Sequence, residues 1–116
     1  MPLLANLQDK GNKVALVTDG RLSGASGKVP SAIHLSPAAD EGGLIGKICD
    51  GDVIRLDAVS GCLELVVSAA ELATRTQAIS SQTGHQAGLG REYFQLFRDH
   101  VSTADTGASI LFGSKP

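Results

Sequence analysis

Apolar residues early in the chain fall into two short unbroken runs separated by a polar, glycine-rich stretch. Residues 14–18 (VALVT) are β-prone and too continuous for a half-exposed strand, which predicts a strand covered on both faces. The second run, residues 32–35 (AIHL), predicts another short strand. It ends at Ser36-Pro37, because the residue before a proline is pushed away from helix. Residues 40–43 have turn composition, and Leu44, Ile45 and Ile48 predict a short strand or a turn of helix. Asp50-Gly51-Asp52 predicts a tight turn. Beyond it Val53, Ile54, Leu56 and Ala58 make a strand, residues 59–61 close a hairpin, and Leu63, Leu65, Val66 and Val67 supply its partner. Ser68 caps a helix that runs to about Arg75, with Glu71 as its capping-box partner. Residues 77–90 are rich in Ser, Gln and Gly and predict a loop. Tyr93, Phe94, Phe97 and Val101 recur at helical spacing, giving an amphipathic helix over residues 91–102 with an aromatic-rich face. Residues 108–112 predict a final strand and residues 113–116 a frayed tail.

This order of elements predicts a small single α/β domain over residues 14–112, with a mixed sheet or a partly closed barrel. Residues 1–13 read as a poorly packed lead-in or a linker remnant. A chain of 116 residues, 42% hydrophobic, 19% charged and 3% aromatic, is globular with a mainly aliphatic core. A net charge of −2 gives no general field for nucleic acid, so basic residues matter only locally. No apolar run approaches the roughly 18–20 residues needed to cross a bilayer. The N-terminus lacks a signal peptide's basic start and apolar core, which predicts a cytoplasmic protein with no membrane contact. Cys49 and Cys62 are too few for a disulfide scaffold and too far apart for a CxxC pair, and are expected to be reduced, buried thiols.

The chemistry concentrates between the first two strands. Asp19, Arg21, Ser23, Ser26 and Lys28 alternate there with Gly20, Gly24 and Gly27. Glycines let a ligand approach the backbone amides, while Arg and Lys supply charge, so the stretch reads as an anion-handling loop with a short helical turn around residues 23–28. Counting back from Gly27-Lys28 puts Leu22 where a Walker loop needs glycine, and the dinucleotide Gly-x-Gly is absent. Ser23 on these grounds alone is a serine bonding locally to backbone, since a hydroxyl is a poor base unless cations stabilise its alkoxide. Arg21 and Lys28 are either solvated or neutralise an anion, and Asp19 caps the loop or pairs with Arg21. His34 reads as a core or cleft-wall histidine rather than a ligand, His85 and His100 as surface residues, and Asp50 and Asp52 as turn formers. No His, Cys or Asp spacing makes a zinc site.

Three segments in order carry a family resemblance: TDGRLSGASGKVPSAIHLSPAA, GGLIGKICDGDVIRLDAVSGCLEL and GREYFQLFRDHVSTADTGASILF. They resemble the C-terminal domain of the dihydroxyacid and 6-phosphogluconate dehydratases, a family of iron–sulfur hydro-lyases. DGRLSGASGKVP, with its lysine, is more similar to the sugar-acid phosphate branch than to the branched-chain amino-acid branch. The resemblance implies a swivelling β/β/α fold and dehydration of 6-phospho-D-gluconate to 2-keto-3-deoxy-6-phosphogluconate in the Entner–Doudoroff pathway. It implies that Ser23 is catalytic, an alkoxide removing the C2 proton, and that Asp19, Arg21, Gly24, Ser26 and Lys28 bind the substrate. A 4Fe-4S cluster and Mg2+ are implied for an N-terminal domain of the same enzyme, within a homodimer, so this chain alone is expected to hold neither and to be inactive. Cys49 and Cys62 do not match the family's cluster cysteines. The alternatives are a dehydratase of another dihydroxy acid or sugar acid, and a stand-alone anion-binding module.

Overall fold

The computed structural model of the chain describes residues 1–23, 27–80, 84 and 87–111. The chain starts in a helix, α1 (Pro2–Asp9), which has proline at its start, where the missing N–H leaves no bond unmade. None of its residues is buried. Its ties to the rest of the chain are polar: Gln8 Nε2 donates to Lys28 O at 3.0 Å, and the Asp9 carboxylate pairs with Lys28.

Strand β1 (Leu16–Val17) pairs in parallel with β2 (Ser31–Ala32), Leu16 opposite Ser31 and Val17 opposite Ala32. Parallel pairing requires the intervening chain to cross back to the starting edge, so residues 18–30 are a crossover rather than a hairpin turn. The ladder extends beyond the strands through Leu16 N–H to Pro30 O, Thr18 N–H to Ala32 O and His34 N–H to Gly20 O, at 2.9, 2.9 and 3.2 Å. The expected coverage of the first strand on both faces is not observed: Leu16 and Val17 are half-buried. A two-stranded ladder offers no second layer to cover the other face, and Val29, 3% exposed, is the one buried hydrophobic side chain among the described residues. Regular strand backbone ends at Ala32, and the ladder closes at His34, which adopts a left-handed backbone with φ 55°.

Two 3-10 turns follow, Ala39–Glu41 and Leu44–Lys47, the second standing where a strand or helical turn was expected. Gly42 between them is left-handed, and a Cβ on Gly43 would overlap Pro37 O, so the double glycine lets the chain fold back on itself. The predicted hairpin is present: β3 (Ile54–Asp57) runs antiparallel to β4 (Cys62–Leu65), Ile54 opposite Leu65 and Asp57 opposite Cys62. The Asp57 carboxylate accepts the Val59 and Ser60 N–H groups that close the turn, and bonding from Ser60 lowers its pKa.

Ser68 caps α2 (Ala69–Thr74), its Oγ accepting the Glu71 N–H at 3.2 Å. Only half of the predicted capping box forms, because the Glu71 carboxylate turns to Arg75. Arg75 also grips Asp52 through both guanidinium nitrogens and donates to Lys47 O at 3.0 Å. The guanidinium holds the Asp52 carboxyl at about 2, and the paired carboxylates push the Arg75 pKa up.

The expected helix over residues 91–102 is split into a 3-10 turn, Arg91–Phe94, and α3 (Gln95–His100). Its aromatic face is uncovered, with Tyr93 84% and Phe94 58% exposed. No strand forms over residues 108–111, where Ala108 is left-handed after a 3-10 turn, Ala104–Thr106; Phe112 and the expected tail lie outside the described residues. The result is a small mixed α/β fold with two separate two-stranded sheets, neither closed. An apolar cavity of about 120 Å³ lies between them, walled by Val17, Leu35, Ile45, Ile48, Ile54 and Leu65. The cysteines depart from expectation: Cys49 is exposed on the turn before Asp52 and Cys62 half-buried on β4, both as free thiols.

Candidate functional site

Among the residues singled out from the sequence, Gly24 and Ser26 lie outside the described residues, as does the middle of the predicted helical turn. Asp19 leaves the end of β1 and its Oδ2 accepts the Ala39 N–H at 2.8 Å. It therefore ties the start of the crossover to the first 3-10 turn, rather than pairing with Arg21. Gln77 supports that turn from behind: its Nε2 donates to Ala39 O at 2.8 Å and to Gly43 O at 3.0 Å. Thr18 Oγ1 accepts the Gly20 N–H at 3.0 Å, fixing the next bend. Ser23 is exposed just beyond.

Arg21 is exposed, and among the described residues no carboxylate lies in salt-bridge range of it. Lys28, at the far end of the crossover, is held by Asp9. Both partners are about half exposed, so the pair contributes roughly 0–1 kcal/mol and is readily exchanged for another anion. The structure thus separates the two cations that the sequence brings together: Arg21 stays at the end of the parallel ladder and Lys28 faces α1.

An open cleft of about 310 Å³ lies at that end of the ladder, lined by Asp19, Arg21, His34, Ala104, Gly107 and Ala108. Three of these come from the crossover and the residue that closes the ladder, and three from the turn after α3. The turn is anchored by Ser36 Oγ, which donates to Asp105 Oδ1 at 2.8 Å. Hydrogen bonds from Thr103 and Ser36 hold the Asp105 carboxyl below the usual range. The sequence reading allowed His34 a place on a cleft wall but missed this turn. His34 is exposed on the cleft wall, where its place in an apolar run had left a core position open. The left-handed backbone that turns it outward has no local sequence signature beyond the tolerance of histidine for that region.

The described residues contain no group of three His, Cys, Asp or Glu side chains able to hold a metal ion. Cys49 and Cys62 sit on different elements, and the Asp52 carboxylate is taken up by Arg75 and the Cys49 N–H. Among the described residues, then, no donor set is gathered for an iron–sulfur cluster or Mg2+. No helix among the described residues is long and apolar enough to cross a membrane.

On this small mixed α/β fold, Arg21 and the exposed Ser23 follow the end of the parallel ladder, and Arg21 lines an open cleft with small walls. The chain belongs to the dihydroxy-acid/6-phosphogluconate dehydratase C-terminal family, whose model matches residues 1–108. It is similar to the phosphogluconate dehydratase of Rhizobium meliloti, 50% identical over 110 residues, covering 95% of this chain and 18% of that protein. It is equally similar to the phosphogluconate dehydratase of Escherichia coli K12, 51% identical over 111 residues, covering 96% and 18%. The dihydroxy-acid dehydratase of Wolinella succinogenes is 43% identical over 100 residues, covering 86% and 17%. The chain thus spans about 18% of the length of the relatives it matches first.

Proposed function

We propose that this chain is the C-terminal domain of a dehydratase that converts 6-phospho-D-gluconate to 2-keto-3-deoxy-6-phosphogluconate, and that Ser23 is the base. The observation that carries the reading is the sequence DGRLSG at the end of β1, with Ser23 and Arg21 both exposed, in a chain half identical to phosphogluconate dehydratases.

The Ser23 alkoxide takes the proton from C2, and the electron pair released forms the bond between C2 and C3. The C3 hydroxyl then departs as water with one added proton, and the resulting enol tautomerises to the 2-keto acid. Serine is ordinarily far from ionised at neutral pH, so the base requires positive charge nearby. Arg21 and Lys28 are the cations this loop supplies. The resemblance assigns the cluster and the Mg2+ to the rest of the enzyme.

Two observations support a partner of that kind. The radius of gyration is 16.7 Å, against about 13 Å expected of a compact domain of this length. Tyr93, Phe94, Leu96 and Phe97 are exposed on the 91–100 segment and Leu44 on the second 3-10 turn, and exposed apolar patches mark interaction surfaces. We read the two ladders and their helices as a swivelling β/β/α domain whose apolar surface is covered by the remainder of the same enzyme.

The test is turnover of 6-phosphogluconate by the whole enzyme under anaerobic conditions, with and without Ser23→Ala. The variant is expected to bind substrate with little change and to lose at least about 100-fold in kcat, the lower end of what a positioned base contributes. Activity within a fewfold of the parent would remove Ser23 from the mechanism. The similarity to the Wolinella protein favours one further arm, a 2,3-dihydroxy acid as substrate, and preference for it would move the enzyme to that branch of the family.

A further inference from the structure

We propose that His34 and Arg21 together bind the substrate's phosphate in the cleft under the 104–108 turn, so that His34 rather than Lys28 sets the preference for a phosphorylated sugar acid. The inference rests on the reading of the chain as a sugar-acid dehydratase domain and names the recognition element of that site. His34 is exposed, at a left-handed φ of 55°, with its backbone N–H fixed to Gly20 O at 3.2 Å. Among the described residues its imidazole makes no hydrogen bond. A histidine kept in a disfavoured backbone region, turned out of an apolar run and towards a cleft it shares with an arginine, is placed for a ligand rather than for packing.

The other walls agree with that use. Ala104, Gly107 and Ala108 carry nothing longer than a methyl group, which leaves the cleft its volume of about 310 Å³. The competing anion, Asp19, has one carboxylate oxygen committed to the Ala39 N–H. Arg21 offers a planar fork that bonds two phosphate oxygens, and an imidazole N–H adds a third bond. Lys28 is paired with Asp9 and is not among the residues that line the cleft.

The experiment uses the whole enzyme and two variants. His34→Gly removes the imidazole and relieves the left-handed backbone, so its melting temperature should equal or exceed the parent's. His34→Asn also tolerates that backbone but does not reach as far. For both, the ratio of kcat/KM for 6-phosphogluconate to that for gluconate should fall about 10–100-fold, the loss of one hydrogen bond to a charged group, mostly through KM. The inhibition constant of inorganic phosphate should rise by a similar factor. Equal losses on both substrates, or an unchanged phosphate inhibition constant with the fold intact, would overturn the proposal. The two readings fail separately. If Ser23→Ala stays active, the base assignment fails while the substrate ratio still decides on His34. If the enzyme prefers an unphosphorylated acid, calorimetric titration of inorganic phosphate into parent and His34→Gly proteins decides instead.

Discussion

Gln77→Ala removes one side chain that braces the whole front of the site. Its Nε2 donates to Ala39 O and Gly43 O, and Ala39 in turn gives its N–H to Asp19 at the root of the crossover. Two hydrogen bonds at roughly 0.5–1.5 kcal/mol each put the loss near 2 kcal/mol. For a domain of this size that is a drop of about 8–16 °C in melting temperature. A second substitution makes the reasoning sharper. A Cβ on Gly46 would overlap the Gln77 amide, so Gly46→Ala should displace that amide and cost a similar amount in the parent. With Gln77 already truncated, the same Gly46→Ala meets only the Ala39 Cβ, 3.2 Å away, and alanine is favoured over glycine in helical backbone by about 1 kcal/mol. Gly46→Ala should therefore change sign, destabilising in the parent and neutral or stabilising beside Gln77→Ala. Urea unfolding of the 116-residue chain, followed by circular dichroism, measures all four corners of the cycle. Additive effects, or a cost for Gln77→Ala under about 0.5 kcal/mol, would refute the bracing role.

Asp52→Asn tests the ion pair that joins α2 to the preceding turn. With its folded pKa held at about 2, below the unfolded value of about 3.9, Asp52 lends stability that is full above the unfolded value and is lost as pH falls through about 2. The variant should be less stable than the parent at neutral pH, and the difference should shrink in acid titrations of the melting temperature; a constant difference from pH 7 to 2 would exclude the linkage. Ser68→Ala removes the cap of α2 and should cost about 1 kcal/mol, while Ser68→Gly costs only a few tenths; equal costs would mean that the Oγ bond to the Glu71 N–H contributes nothing.

What the sequence made legible was local. The β3–β4 hairpin, the Asp50–Asp52 turn and the Ser68 cap each rest on a pattern within a few residues, and each is present. What it concealed depends on distant partners. The parallel pairing of β1 with β2 is decided by the register of Leu16 against Ser31, which no neighbouring residue announces. A continuous apolar run at residues 14–18 promises burial on both faces, yet the described chain supplies one covering layer. The final strand fails because Ala108 turns left-handed with its N–H on Thr103 O at 3.0 Å, a bond that closes the turn over the cleft instead of extending a ladder. At the candidate site Asp19, Arg21 and Ser23 were found through glycine spacing, whereas His34 was left between core and cleft wall because an apolar context says nothing of a single residue's backbone angle.

These failures share a cause with the design of the site. Its framework consists of backbone and amide hydrogen bonds: His34 to Gly20, Thr18 to Ala32, Ala39 to Asp19, and Gln77 to Ala39 and Gly43. Little of it depends on a sealed core, since the apolar residues between the two ladders enclose a cavity and the aromatic face at residues 93–97 is uncovered. Geometry at Arg21 and His34 can thus be held even where burial is sparse, and the apolar surface is left for docking. Polar substitutions at Tyr93 or Phe97 should then act on association with the rest of the enzyme, while substitutions at Asp19 or Gln77 act on the placement of the crossover. If the apolar faces dock as proposed, the Tyr93 and Phe97 variants weaken association and leave the hydrogen bonds around Gly20 and Ala39 intact.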